Sequence, residues 1–175
     1  MKHTIAILVK DHPGVLARVS SLFNRRRFNI ESIAAGHSEK KGITRITIVT
    51  EGEEGILEQI TKQLNKLIDV LRVRDLPKDT SVEREFALIK VWTKSTDQRT
   101  EIMQLVETFR GHIVDIDKQS LTIEVTGTED KINAKLKLLE PFGILEISRT
   151  GKIALSRGAN SILNSSIHAN GTLPD

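Results

Sequence analysis

The order in which the hydrophobic pattern changes along the chain is the feature that most constrains its fold. Short apolar runs with the length of a strand alternate with stretches whose apolar residues recur every three to four positions, as in a helix that faces a sheet. Over residues 1–77 the order is strand, helix, strand, strand, helix, strand, and it recurs in the second half. The sequence therefore predicts an α+β fold of two βαββαβ domains, each with an antiparallel sheet and its helices on one face.

The first domain is predicted over residues 1–77. Its first strand is a continuous apolar run, and the turn that follows places Pro13 where a helix can begin. A polar turn joins the second and third strands, which indicates a hairpin. The predicted strands cover residues 3–9, 29–35, 43–50 and 70–73, and the predicted helices run from Pro13 through Phe23 and from Ile56 through Leu67.

The second domain is predicted over residues 84–157. When residues 47–73 are laid on residues 122–148 without a gap, Gly52 falls on Gly127 and Leu64 on Leu139, so the elements coincide and indicate a structural repeat. After residue 157 there is no Lys or Arg, and Asn, Ser and Gly predominate. Residues 158–175 are therefore expected to form a flexible tail.

Composition excludes several classes of protein. The 175 residues are 38% hydrophobic and include no cysteine, so no disulfide framework, thiol nucleophile or Cys-ligated zinc site can form. The first apolar run is too short to span a membrane and lacks the features of a secretory signal. We therefore expect a cytoplasmic protein that does not insert into a membrane.

The βαββαβ order is also used by RNA-binding domains, which stack bases on aromatic residues of the central strands. Here the strands at residues 4–9 and 43–49 contain no aromatic residue, and aromatic residues make up 3% of the chain. The net charge of +3 is too small to indicate nucleic-acid binding by itself. We expect no nucleic-acid partner, with an RNA-binding module kept as a minor alternative.

No enzymatic motif is present: the chain lacks an H-E-x-x-H, a G-x-S-x-G, a Walker A loop and a G-x-G-x-x-G. Asp115 and Asp117 could share one strand face as an acid and a base, but solvated edge residues are the simpler interpretation. We therefore predict no catalytic residue and no metal site, and an independent enzyme is the least favoured hypothesis. The five histidines show no helical pairing for a metal: His3, His12, His37, His112 and His168.

The turn at residues 11–15 is the best candidate for a ligand site. Gly14 carries no side chain at a helix N-terminus, where free N–H groups and the helix dipole favour a carboxylate such as that of an amino acid. The ammonium of that ligand would need an acceptor, for example the carboxylate of Asp11 or the side-chain oxygen of Asn29. An apolar ligand side chain would contact Val15, Leu16 or Ile30.

The runs D-H-P-G-V-L at residues 11–16 and F-N-I-E-S at residues 28–32 resemble the opening of an ACT domain. In particular, the chain is similar to the small regulatory subunits of acetolactate synthase, and the similarity continues at residues 126–127, 149–151 and 157–158. The resemblance implies two ferredoxin-like domains, an N-terminal amino-acid-sensing ACT domain and a C-terminal ACT-like domain. Most of the chain is covered.

The resemblance also implies a homodimer in which two ACT domains pair side by side, with valine or a related branched-chain amino acid bound between them. The chain would raise the activity of a separate catalytic subunit and make it sensitive to feedback inhibition. It would need no cofactor of its own, since thiamine diphosphate, Mg²⁺ and FAD would belong to the catalytic partner. By matching positions, the effector-binding residues would be Asp11, His12, Pro13, Gly14, Val15 and Leu16 of one protomer with Asn29 and Ile30 of the other.

Two positions depart from the family pattern. The family often has asparagine or a second acidic residue around Asp11 and His12, which leaves their polar contacts open. Many relatives have glycine where Arg27 stands, a residue suited to a left-handed helix cap, so we expect Arg27 to adopt a different turn. A free-standing ACT sensor that controls another enzyme or a regulator is the alternative function.

Overall fold

The computed structural model describes residues 1–163, which divide into two compact units. The first unit consists of Met1–Glu83 together with the described chain from Lys152 onward, and the second is Arg84–Gly151. The first unit therefore contains two separate stretches of sequence, and the second is a continuous insertion between them.

The first unit has the predicted βαββαβ order. The strands are Lys2–Lys10 (β1), Ile30–His37 (β2), Ile43–Glu51 (β3) and Val70–Asp75 (β4), and the helices are Val15–Arg25 (α1) and Glu54–Leu64 (α2). The sheet is antiparallel between neighbours, in the order β2-β3-β1-β4, so β2 is an edge strand.

The second unit repeats this order. Its elements are Ser81–Trp92 (β5, which enters this unit at Arg84), Thr96–Thr108 (α3), His112–Ile116 (β6), Ser120–Gly127 (β7), Glu129–Leu139 (α4), a short 3₁₀ helix at Glu140–Phe142 and Ile144–Arg149 (β8). Its sheet has the order β6-β7-β5-β8. The alignment of the two sequence halves predicts the correspondence of their second helices residue by residue, since Glu54–Leu64 falls on Glu129–Leu139. The predicted fold class and structural repeat are confirmed.

In the first unit both helices cover one face of the sheet. Alternate residues of β1, namely Ile5, Ile7 and Val9, face Val19 and Phe23 of α1 in a single buried cluster. Full burial of a side chain of this size contributes about 1.5–3 kcal/mol. The apolar residues that alternate along β1 and those that recur at helical spacing along α1 therefore pack into the same core.

The opposite face of this sheet is covered by residues that follow the second unit in the chain. The strand Ile153–Ser156 (β9) contributes Ala154, and Ile162 follows; both are buried against Ala6 and Leu8 of β1. We call residues 152–163 the cover segment. Two arginine side chains of the sheet donate hydrogen bonds to its backbone. Arg45 donates to the carbonyl of Ala154 and Arg74 to that of Ser161, both at 2.7 Å.

The cover segment does not belong where the sequence predicts. The predicted boundaries assign residues 152–157 to the second domain and residues 158–175 to a flexible tail. Residues 152–163 instead belong to the first unit, because their few apolar side chains complete its outer face. The remainder of the predicted tail, residues 164–175, lies outside the described residues.

The end of α1 takes the form of a Schellman cap. Arg27 has φ 57°, its N–H donates to the carbonyl of Asn24, and the N–H of Phe28 donates to that of Phe23, both at 3.0 Å. The expectation of a different turn at Arg27 is therefore wrong, since the arginine itself adopts the left-handed conformation. Arg110 closes α3 in the same conformation, with φ 55°.

Candidate functional site

The loop between β1 and α1 leaves the N-terminus of α1 open. The helix begins at Val15, two residues later than predicted, because Gly14 takes the left-handed conformation with φ 89° and forms the cap. No side chain caps the first turn. A Cβ on Gly14 would meet only the Arg18 side chain, at 3.9 Å, so glycine is required here by its φ and not by lack of space.

Asp69, which precedes β4, ties this loop to the neighbouring strand. One carboxylate oxygen accepts a hydrogen bond from Nε2 of His12 at 2.8 Å, and the other accepts one from Nη1 of Arg18. The carbonyl of Asp69 accepts a bond from the N–H of Lys10 at 2.9 Å, and the residue is 5% exposed. A buried carboxylate therefore fixes the predicted site residue His12.

Sequence reasoning missed Asp69. The available signal was an acidic residue directly between the apolar residues Ile68 and Val70, where a buried charge needs partners. Its two partners lie more than 50 residues away in sequence, so their identity could not be read from local spacing.

The other predicted residues of the loop have distinct environments. Oδ2 of Asp11 lies 3.3 Å from Nδ1 of His37, at the end of the edge strand β2. Val15 is 4% exposed and belongs to the core, whereas Leu16 is 47% exposed. Of these two apolar side chains, only Leu16 has a surface that a ligand could contact without disturbing the core.

Asn29 and Ile30 lie at the opposite end of the sheet. Ile30 pairs with Thr50, whose partner in β1 is His3, near the start of that strand, whereas His37 pairs with Thr44 beside Val9. The two ends of β2 are seven positions apart, or about 23 Å at the usual rise per residue. Within one chain the structure thus separates the eight predicted residues into two groups: residues 11–16 and residues 29–30.

Neither Asn29 nor Ile30 is buried. Asn29 is exposed, and its carbonyl accepts a hydrogen bond from the hydroxyl of Thr50 at 2.7 Å, which leaves its side-chain amide outside this contact. Ile30 is half-buried against the helix-side core. The start of β2 positions these two residues, which expose a polar and an apolar side chain there.

Residues 1–163 include no group of three or more His, Cys, Asp or Glu side chains that could hold a metal ion. None of the helices in that same stretch is long and apolar enough to cross a membrane.

Two βαββαβ units with antiparallel sheets, the first with an open, glycine-capped helix after β1, define the class of ACT-type ferredoxin-like proteins. Comparison with known proteins agrees with this class. A family model described as the AHAS small subunit-like ACT domain matches residues 5–72, and one described as the small subunit of acetolactate synthase matches residues 84–158.

Relatives that align over nearly their whole length show the family to which this chain belongs. The chain is 53% identical over 160 residues to a probable acetolactate synthase small subunit of Methanothermobacter thermautotrophicus, covering 91% of this chain and 95% of that one. It is equally identical, over the same length, to the acetolactate synthase small subunit of Mycolicibacterium smegmatis, with 91% and 94% covered. The crystal structure of the Thermotoga maritima acetolactate synthase small subunit superposes with a TM-score of 0.86 at 42% identity, covering 90% and 98%. The chain belongs to the family of acetolactate synthase small subunits, and the predicted role of a regulatory subunit is confirmed.

Proposed function

We propose that the first unit binds valine or a related branched-chain amino acid between two copies of the chain. Binding there makes the catalytic subunit of acetolactate synthase subject to feedback inhibition, while the chain itself raises the activity of that subunit. The observation that carries the proposal is the separation of residues 11–16 from residues 29–30 by the length of the edge strand β2.

A symmetric dimer closes this separation. Among residues 1–163, β2 pairs with β3 alone, so backbone groups on its outer edge are available for a further strand. If two β2 strands pair antiparallel about a twofold axis, the start of one lies beside the end of the other. Asn29 and Ile30 of the partner copy would then approach Asp11 and Leu16, which completes the site predicted from the sequence.

The chemistry of the loop suits an amino acid. The free N–H groups at the start of α1 attract the ligand carboxylate, and Gly14 lets it approach the backbone. Asp11 and the side-chain oxygen of Asn29 can accept hydrogen bonds from the ammonium. The exposed Leu16 and the half-buried Ile30 offer apolar contact to a branched side chain.

The proposal gives this chain no catalytic residue. Thiamine diphosphate, Mg²⁺ and FAD would be bound by the catalytic subunit, and the complex would function in the cytoplasm without nucleic acid or membrane. A ligand bound between two copies can shift only those equilibria in which its affinity differs between states. Regulation therefore requires that the liganded and unliganded dimers act differently on the catalytic subunit.

The test is acetolactate formation by the separately purified catalytic subunit from the same organism, with and without this chain, across a valine titration. We expect the chain to raise the rate and to make it fall with valine. If rate and valine response stay unchanged with folded protein, the proposal fails and the alternative, a free-standing sensor for another enzyme or regulator, replaces it. Co-elution with the catalytic subunit on size exclusion separates the two cases.

A further inference from the structure

An open groove on the second unit gathers four cationic side chains. Its volume is about 500 Å³, and it is lined by Arg84, Arg110, Lys131 and Lys135 without any acidic residue. The chain as a whole has a net charge of only +3, so this concentration is a local feature. Lys131 and Lys135 repel each other at the wall of this groove, and a bound anion would offset that repulsion.

The internal repeat shows how the second unit differs from the first at this groove. In the residue-by-residue correspondence of α2 and α4, Lys131 stands where the first unit has Ile56, and Lys135 where it has Ile60. Ile60 is fully buried in the first core, and Ile56 packs against it. The second unit thus carries charged side chains at positions that the first unit fills with apolar ones.

The core of the second unit is formed by side chains other than those of Lys131 and Lys135. Ile132 and Leu139 of α4 are fully buried, and Phe109 and Leu136 pack against the same cluster. The two lysines are therefore not needed to complete the core, and their charges line its outer surface instead.

Lys135 is held at the wall of the groove. Its Nζ lies 5.4 Å from the centre of the Phe109 ring and donates to the carbonyl of Thr126 at 3.1 Å. Burial, and then the charge of Lys131, lower the pKa of Lys135 below its ordinary value. The same burial that disfavours the ammonium alone strengthens its attraction to an anion placed beside it.

The N-terminus of α4 opens at the same groove. Thr128 is its cap residue and lines the groove, and its side chain makes no capping hydrogen bond. At the start of α3, by contrast, the hydroxyl of Ser95 accepts a bond from the N–H of Gln98 at 3.2 Å. Glu129 and Asp130 follow Thr128 but do not line the groove, and the charge of Glu129 acts on Arg149.

We propose that this groove binds a small polyanion of the polyphosphate class. Arg84, Arg110, Lys131 and Lys135 would contact its oxygens, with the N–H groups at the start of α4 as further donors. A volume of about 500 Å³ lies in the range of small-ligand sites. Several phosphate groups in one ligand match a cluster of lysine and arginine side chains better than the single carboxylate of an amino acid does.

The experiment titrates the full chain with inorganic tripolyphosphate by calorimetry, without the catalytic subunit or valine, so that it does not depend on the proposed valine site. We expect Lys131→Ala, which changes an exposed side chain, to weaken binding at least about tenfold, the usual effect of losing a charge-assisted contact. Lys137→Ala is the matched control, because Lys137 is exposed on the same helix and does not line the groove. It should bind as the parent chain does.

Equal affinity of the Lys131→Ala and Lys137→Ala variants overturns the proposal, as does the absence of any binding by the parent chain. A second groove, on the first unit, is lined by Arg25, Arg26 and Lys66 and could compete. If Lys66→Ala weakens binding and Lys131→Ala does not, the location is wrong. If polyglutamate binds more tightly than tripolyphosphate, the ligand class is wrong and an acidic protein segment replaces it.

Discussion

Oδ1 of Asp69 accepts a hydrogen bond from Nε2 of His12 at 2.8 Å, although the two residues are 57 positions apart in the chain. Because the other carboxylate oxygen holds Arg18, one buried side chain fixes both the loop before α1 and the first turns of that helix. The shape of the proposed effector site therefore depends on a residue that does not belong to it.

We expect Asp69→Ala to raise the valine concentration at half inhibition at least about tenfold, because it leaves His12 and Arg18 without the acceptor that orders the loop. The measurement is a valine titration of acetolactate formation by the reconstituted complex. Asp79→Ala removes the same charge from an exposed loop and should leave the midpoint unchanged. Identical midpoints for the two variants would show that Asp69 does not position the site.

Complementation tests whether the site is shared between protomers. Gly14→Asp and Asn29→His should each abolish the valine response of a folded protein. In a mixed dimer of the two variants, one site combines the intact loop of one chain with the intact Asn29 of the other. We expect mixed dimers to regain about half of the valine binding sites, as counted by calorimetry. No recovery after verified subunit exchange would place both groups of residues in the site of a single chain, against the proposal.

The left-handed Arg27 predicts a stabilising substitution. A side chain at φ 57° costs about 1 kcal/mol, so Arg27→Gly should raise the free energy of unfolding by up to that amount. Arg27→Ala removes the same charge and keeps the Cβ, so it should give no gain. Urea unfolding of both variants measures the free energy of unfolding. If the two variants are equally stable, any gain over the original chain comes from removal of the charge and not from relief of the left-handed conformation.

Asp75, at the end of β4, predicts a pH-dependent change. Burial raises the pKa of its carboxyl, so the folded state disfavours the ionised form at neutral pH. This cost is present above the raised pKa, decreases as the pH falls through it, and is absent below the ordinary value of 3.8. Asp75→Asn should therefore stabilise the protein at pH 7, and the gain should vanish toward pH 4. Asp79→Asn, at an exposed position, should show no such trend, and a pH-independent gain for Asp75→Asn would rule out this cause.

The cover segment predicts an unequal effect of two neighbouring truncations. Ile162 is 4% exposed against the outer face of the first sheet, and Ile162→Ala should lower the free energy of unfolding by about 2–4 kcal/mol. Leu155→Ala, in the same segment but 60% exposed, should change it by less than about 0.5 kcal/mol. Chemical denaturation of both variants is the measurement. Equal and small losses would show that the segment does not stabilise the first unit.

The repeated elements could be predicted because their hydrophobic periods are long and regular, and α2 and α4 even correspond residue by residue. The start of α1 could not be predicted. Pro13 fits a first helical turn, and the helix begins at Val15 only because Gly14 has a left-handed φ. The cover segment was missed for a different reason. Its polar composition is typical of a tail, and only two of its described residues, Ala154 and Ile162, are buried.

For the site, the loop at Gly14 could be predicted from helix-terminus chemistry, whereas its anchor Asp69 could not. The anchor is defined by long-range contacts with His12 and Arg18, which no local pattern encodes. The cationic groove was missed for a similar reason. Its cationic side chains come from β5, the turn after α3, and α4, and they form no charge run in the sequence.

The return of the chain to the first unit at Lys152 has a consequence for its synthesis. The first 83 residues leave the ribosome without the residues that cover their outer face, and Ala6 and Leu8 stay accessible to water until the whole insertion has been translated. The N-terminal unit, although made first, is therefore the last to be completed. A nascent chain arrested before residue 152 would present that apolar surface to chaperones, while its helix-side core is already assembled.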